Sequence, residues 1–225
     1  MDWSPMLISI RTAMTAIVIT FFLGTYAAKW IFRLKSQKLK MIIDGILTLP
    51  LVLPPTVVGF MLLYTFGVKR PLGKFLVDYF SVRIVFSWTA TVIAAIVISF
   101  PLMYRSARAA FEQVDMNLIY AGRTLGMSES TIFWRVLMPS ALPGVASGGI
   151  LAFARGLGEF GATAMIAGNI AGKTRTLPLA IYSEVAAGNM EGAYNYVLII
   201  VVISFLIVLL MNYFTSKEKR YQMKR

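Results

Sequence analysis

The chain has 225 residues, of which 58% are apolar (AVILMFWYC), and its 22 Lys and Arg against 10 Asp and Glu give a formal charge of +12. An ordinary soluble domain is about 45–50% apolar even with Gly counted, so the excess points to a bilayer rather than to a larger core. With no Cys and no His, the sequence excludes disulfides, thiol and imidazole catalysis and Cys/His metal centres.

Five apolar runs follow one another: Met6–Ile31, Ile42–Phe66, Ile84–Met103, Ala141–Gly168 and Tyr196–Phe214. Each can cross a membrane, for which about 20 apolar residues suffice, and five crossings put the two ends of the chain on opposite sides. The first run has no basic segment before it and ends in Lys29-Trp30-Ile31-Phe32-Arg33 instead of a small-residue cleavage site, so it is expected to stay as a spanning helix. The second contains Leu49-Pro50-Leu51-Val52-Leu53-Pro54-Pro55-Thr56-Val57-Val58-Gly59, with three prolines in six residues. Proline removes a helix donor and clashes with the preceding turn, so this run is expected to kink or break. Backbone groups freed in hydrocarbon must find protein or a wet cavity.

The 104–140 link after the third run is too long for a turn and carries its own helical pattern. Asp115 is placed to cap a helix, Leu118, Ala121, Gly122 and Leu125 follow at helical spacing, and Gly126 stands where a left-handed C-terminal residue belongs. A second helix is expected from Ser128, with Ile132, Phe133, Val136 and Leu137 apolar, stopping at Pro139. A helix pair of this kind either docks into a groove on another protein or lies on the membrane or the chain's own core.

The fourth run holds Gly144, Gly148, Gly149, Gly156, Gly158, Gly161 and Gly168, and the Gly144/Gly148 spacing lets helix backbones approach closely. These glycines fit helix packing, and they also fit a pathway wall that rearranges, since discontinuous helices mark substrate routes in transporters. Arg155 and Glu159 are four residues apart in the same run, hence one turn apart on the same helix face. Charges at that depth are costly. They either neutralise one another or serve a passing anion, Arg155 meeting it and Glu159 holding Arg155 in place.

Orientation follows from the basic residues between the runs. Lys29, Arg33, Lys35, Lys38 and Lys40, then Arg105, Arg108, Arg123 and Arg135, then Lys217, Lys219, Arg220, Lys224 and Arg225 make fourteen on one side. Lys69, Arg70, Lys74, Arg83, Lys173 and Arg175 make six on the other. The positive-inside rule assigns the fourteen to the cytoplasm, with the N-terminus outside and the C-terminus inside.

The segment Tyr120-Ala121-Gly122-Arg123-Thr124-Leu125-Gly126, nine further residues, and Val136-Leu137-Met138-Pro139 resemble the E-A-A-x3-G-x9-I-x-L-P cytoplasmic signature of binding-protein-dependent ABC importer permeases. Tyr120 replaces the acidic first residue and Gly122 the second alanine, while the Gly126-to-Pro139 frame is intact. Within that superfamily the chain is similar to the molybdate permeases over roughly residues 5 to 215. The similarity rests on the proline-rich stretch of run two, on Ser99-Phe100-Pro101-Leu102-Met103, and above all on Leu151-Ala152-Phe153-Ala154-Arg155-Gly156-Leu157-Gly158-Glu159-Phe160-Gly161-Ala162-Thr163. Gly168-Asn169-Ile170 and Thr174-Arg175-Thr176-Leu177-Pro178-Leu179-Ala180-Ile181-Tyr182 extend it.

The resemblance implies an all-α integral membrane protein of the type I ABC importer permease fold, with a permease domain at 5–215 and a basic cytoplasmic tail at 216–225, in a bacterial or archaeal cell membrane. It implies a homodimer served by two cytoplasmic ABC ATPase subunits and an extracytoplasmic molybdate-binding protein, with no nucleic acid partner. This chain would then be no enzyme and bind no cofactor or metal, ATP and Mg being used by the partner; in agreement, the sequence has no G-x-x-x-x-G-K-[ST] phosphate loop. ATPase coupling falls to Ala121, Gly122, Arg123, Leu125, Gly126 and Pro139. The translocation pathway falls to Pro54, Pro55, Thr56, Gly59, Arg155, Gly158, Glu159, Gly161 and Thr163. A sulfate or tungstate permease of the same architecture is the nearest alternative. A membrane-embedded enzyme would need clustered acids for a metal, whereas Asp44, Glu159 and Glu184 are scattered. An ion channel would need a selectivity ring and no docking pair.

Overall fold

Asp2 and Pro5 set the start of the first helix. The Asp2 carboxylate accepts the Ser4 N–H at 2.8 Å and the Ser4 hydroxyl at 2.7 Å, which holds its carboxyl below the usual range, and Pro5 sits where a missing N–H costs nothing. The computed structural model describes residues 2–34 and 36–222, with side chains as far as Tyr213. Lys35 and residues 223–225 of the expected tail lie outside the described residues, as do all side chains of 216–225.

The helices in chain order are α1 (Ser4–Arg33), α2 (Gln37–Val52), α3 (Pro55–Phe66), α4 (Pro71–Phe80), α5 (Trp88–Glu112), α6 (Met116–Thr124), α7 (Glu129–Ile132), a π-helical turn (Phe133–Leu137), α8 (Met138–Leu157), α9 (Gly161–Ala167), α10 (Leu177–Ala186) and α11 (Met190–Gln222). Among the described residues four helices are long and apolar enough to cross a membrane, or five if the bent pair α2/α3 counts as one. The prolines of run two act as expected: the helix stops at Val52, restarts at Pro55, and the two pieces meet at 107°.

Side-chain pairs fix the directions. Thr12 and Thr91 share a hydroxyl hydrogen bond of 3.0 Å, and Thr20 and Ser99 one of 3.4 Å, both with a sequence offset of 79, so α1 and α5 run parallel in a constant register. α8 runs against them, because Gly148 faces Ser106 while Gly156 faces Ala95 and Ser99. α2 also runs against α5, with Lys40 beside Glu112 and Asp44 beside Tyr104 and Arg108. α11 starts next to the start of α1, where the Tyr196 hydroxyl donates to the Asp2 carbonyl at 2.9 Å. The spans therefore alternate as five crossings require.

Two expectations from sequence are corrected. Pro139 does not stop a helix. Helical structure continues from Glu129 to Leu157, and the turn before the proline widens to a π-helix, which moves the carbonyl that the ring would strike and dispenses with the missing donor. Run four is likewise no single helix: α8 ends at Leu157, Gly158-Glu159-Phe160 is non-helical, and α9 begins at Gly161. The short helices α4 and α10, at the end of the bundle away from α6, were not foreseen. Their local signal is a proline in the first turn of each, Pro71 and Pro178.

Candidate functional site

The breaks in two separate helices meet in space. Pro55 and Thr56 open α3, Gly161 opens α9, and a Cβ on Gly161 would stand 3.0 Å from the Pro55 Cβ and 3.3 Å from the Thr56 Cγ2. One turn further along, a Cβ on Gly59 would lie 2.7 Å from the Ala162 Cα, so only glycine lets the two backbones come this close. Of the expected pathway residues, Pro55, Thr56, Gly59 and Gly161 are thus brought together. Pro54, Thr56 and Gly158 are exposed at this junction, while Thr163 is 1% exposed and packs inside.

Glu159 holds the joint between α8 and α9. It is 2% exposed, its Oε1 accepts the Ala162 N–H at 2.8 Å, and its Oε2 lies 2.7 Å from Arg155 Nη1 without the alignment of a hydrogen bond. The carboxylate therefore caps the first turn of α9 while pairing with a cation on the last turn of α8. The expected face-sharing of Arg155 and Glu159 is corrected in its geometry: the pair bridges a helix break instead of one continuous turn. The Arg155 side chain stays 31% exposed, while that of Glu159 is sealed at 2%.

At the opposite end of the bundle, α6 and α7 form the expected helix pair. Asp115 caps α6 by accepting the Asn117 N–H at 2.9 Å, and Ser128 caps α7 by accepting the Thr131 N–H at 3.2 Å. Between them, Met127 N donates to Gly122 O and Gly126 N to Arg123 O, with Gly126 at φ +72°, which is a Schellman ending. Gly122 packs on Ile132, and Arg123 reaches Glu129 at 2.7 Å, an ion pair exposed on both sides and so of little weight for stability.

The pair has two unlike faces. Ile119, Ile132, Phe133 and Leu137 are buried against α1 and α5, with the Phe133 ring edge-on to Phe111 at 5.7 Å. Leu118, Tyr120 and Leu125 point outward, Leu125 being 79% exposed. The apolar residues of the second helix thus serve the chain's own core, and those of α6 form the free surface. Sequence spacing named Leu118, Ala121, Gly122 and Leu125 as one face; the structure buries Gly122 and leaves Ala121 and Leu125 outside.

Sequence reasoning missed a polar network at this same end. Asp44 of α2 accepts from the Tyr104 hydroxyl at 2.8 Å and pairs with Arg108, which also reaches Glu112 at 2.9 Å, and Lys40 lies 3.8 Å from Glu112. No local spacing links Asp44 to residues 60 and 64 positions away. The network tethers α2, a helix with no fully buried residue, together with Ile43 and Leu47, which pack half-buried on the core.

Comparison with known proteins gives one consistent result. The family described as binding-protein-dependent transport system inner membrane component matches residues 9–220. The molybdenum transport system permease protein ModB of Escherichia coli is 39% identical over 221 residues, 97% of this chain and 96% of that protein. ModB of Haemophilus influenzae is 38% identical over 218 residues, covering 97% and 95%. Among solved structures, an inward-facing conformation of the MetNI methionine ABC transporter superposes with a TM-score of 0.69 over 96% of this chain and 93% of that one, at 18% identity, a likeness of fold.

Proposed function

The chain belongs to the family of binding-protein-dependent transport system inner membrane components, and from that premise we propose that it is the transmembrane subunit of an ATP-driven importer that carries molybdate into the cytoplasm. The observation that carries this reading is 39% identity along 97% of the chain to a permease named for molybdenum transport. On this reading the chain works as a homodimer with two cytoplasmic ATPase subunits, which bind ATP and Mg, and with an extracytoplasmic protein that delivers the anion. The permease domain is residues 5–215, with 216–225 as a basic tail.

The two sites described above then act as one device. The outward face of α6, with Ala121, Arg123 and Leu125 held by the Gly122 packing and the Gly126 turn, is the surface on which an ATPase subunit docks. Motion of the docked pair passes into α8 without a flexible joint, because helical structure runs unbroken from Glu129 through Pro139 to Leu157. It ends at the α8/α9 break, where Arg155, Gly158 and Glu159 meet the start of α3. There Pro54, Pro55, Thr56, Gly59, Gly161 and Thr163 form a wall made of short helix pieces that can shift as bodies, completed across the axis by the second copy.

Arg155 is the residue for the anion at this wall. Its charge is balanced by Glu159 and its side chain is partly exposed, so it is placed to attract a dianion as it passes without holding it. Uptake of labelled molybdate into vesicles containing the permease, its ATPase and the binding protein tests the assignment, with sulfate and tungstate as competitors. Uptake of sulfate in preference to molybdate would replace the substrate and leave the architecture.

Orientation is tested separately. We propose that the α6/α7 end is cytoplasmic, on the strength of fourteen basic residues against six. Because the chain has no native cysteine, Ser36→Cys and Ser128→Cys should react with an impermeant thiol reagent only after lysis, and Ser81→Cys in intact cells. The reverse pattern inverts the assignment.

A further inference from the structure

A cleft of about 720 Å³ opens between the last turn of α1, the end of α5 and the inner face of the α6/α7 pair, a size within the range of small-molecule sites. Four cations line it, Lys29, Arg33, Lys40 and Arg123, against two carboxylates, Glu112 and Glu129. Both carboxylates are already engaged. Glu129 is held by Arg123 through two bonds of 2.7 and 3.3 Å, and Glu112 by Arg108 and Lys40.

That leaves Lys29 and Arg33. Among the described residues neither forms an ion pair with a carboxylate. Lys29 Nζ rests 3.9 Å from the centre of the Phe133 ring and 5.5 Å from that of Trp134, and Arg33 Nη2 donates to the Glu129 carbonyl at 3.1 Å. Two positive charges are thus oriented into the cleft by neutral partners. The rest of its wall is apolar, with Phe32, Leu34, Ile119 and Ile132 prominent.

The position of the cleft selects among anions. Lys29 and Arg33 lie on the last two turns of a membrane-spanning helix, beside Trp30 and Trp134, which are 48% and 61% exposed. Exposed tryptophans of spanning proteins collect at the headgroup layer. A cavity at that depth with a cationic mouth and an apolar wall suits an anion that is covalently joined to a hydrocarbon chain. We propose that this cleft binds an anionic phospholipid, its phosphate between Lys29 and Arg33 and the upper part of an acyl chain against Phe32 and Leu34. A lipid seated there contacts α1, α6 and α7 together, so it bears on the angle at which the α6/α7 pair leaves the bundle.

The test uses the full-length chain, freed of lipid in neutral detergent, titrated with phosphatidylglycerol and with phosphatidylcholine carrying the same fluorescent acyl chain. A basic residue at a membrane surface favours an anionic lipid by about fivefold, so two should favour phosphatidylglycerol by about 30-fold. Lys29→Gln with Arg33→Gln should reduce that preference to about threefold or less. Arg33→Lys should keep most of it, and Lys69→Gln with Lys74→Gln, at the opposite end of the bundle, should leave it unchanged. If the double variant fails to fold, Arg33→Gln alone decides: Arg33 is exposed, and its loss should lower the preference by about fivefold. An unchanged preference in whichever of these variants folds overturns the proposal. Displacement of phosphatidylglycerol from the native chain by millimolar inorganic phosphate overturns the lipid assignment in favour of a free oxyanion site.

Discussion

α1 and α5 lie side by side in parallel through most of their length, whereas α2 and α3 together make one crossing that turns through 107° in its middle. The first pair is joined by small residues and by hydroxyl pairs buried between the helices, Thr12 with Thr91 and Thr20 with Ser99, which satisfy each other where no water can. The second is held by polar ties near the start of α2, by half-buried residues such as Ile43 and Leu47, and by close contacts just past its break. Lys40 and Asp44 tie α2 to α5 through Glu112, Tyr104 and Arg108, and Val58 and Gly59 tie α3 to the neighbourhood of α9. α2 itself buries no residue completely in this chain. A frame and a hinged wall are thus built from equally apolar segments. What separates them is where backbone continuity is broken and where polar groups are paired.

The sharpest way to break this contrast is to disturb the joint at Glu159. Arg155→Gln leaves a sealed carboxylate without its cation, at a cost of about 3–5 kcal/mol for a buried pair, toward the lower end because Arg155 is itself partly exposed. The amount of folded permease after extraction should fall steeply, and adding Glu159→Gln should restore much of it. A double variant that folds fully but carries no molybdate would show that Arg155 serves the anion as well as the joint. A single variant that folds as well as the native chain would mean that the joint does not depend on the pair.

A steric change in the frame should be next in size. Gly148→Leu drives a side chain into Ser106 across the α5/α8 contact, and overpacking typically costs about 1–3 kcal/mol. Its thermal unfolding midpoint in detergent should drop clearly. Gly59→Leu, aimed at the wall, should lose transport more than it loses folded protein, because α3 can move away from α9 but then no longer closes on it. Equal losses of folding in the two variants would erase the distinction between frame and wall.

Gly126→Val probes the docking end. The backbone there is left-handed at φ +72°, yet a Cβ would meet nothing within 4 Å, so the cost is that of the conformation alone, about 1–2 kcal/mol. Folded yield should change modestly, while co-purification of the ATPase subunit and molybdate uptake fall together. Normal uptake would place the docking surface elsewhere.

The smallest effect belongs to the hydroxyl pairs. Thr12→Val with Thr91→Val removes both partners at once, apart from the Trp88 indole N–H that also donates to Thr12 at 3.0 Å. Interhelical bonds of this type in membranes average about 0.6 kcal/mol. A shift of a degree or two in the unfolding midpoint is expected, and Thr12→Val alone should cost about as much, because it too leaves the Trp88 indole N–H unpaired while the Thr91 hydroxyl keeps its bond to the Trp88 carbonyl at 2.6 Å.

The local chemistry of this protein was legible from residues alone wherever a feature is set by its neighbours in the chain. The first, third and fifth spanning runs, the break at Pro54-Pro55, the Asp115 and Ser128 caps and the left-handed Gly126 all follow from apolar length, from a missing donor or from a missing Cβ, and each is found where the sequence places it. Pro139 shows the limit of such reasoning. A proline stops a helix only if nothing else absorbs its clash, and here packing of Phe133 on α1 and α5 keeps the helix going through a widened turn. The same limit governs the polar residues. Asp44 finds Arg108 and Tyr104, Lys29 finds the Phe133 ring, and the α3 and α9 breaks coincide, because the parallel register of α1 with α5 and the antiparallel course of α2 and α8 bring distant turns level. Periodicity along one helix carries no term for register between helices. That register is fixed by close packing of small residues and by hydroxyl pairs such as Thr12 with Thr91 and Thr20 with Ser99, which only the assembled bundle brings together.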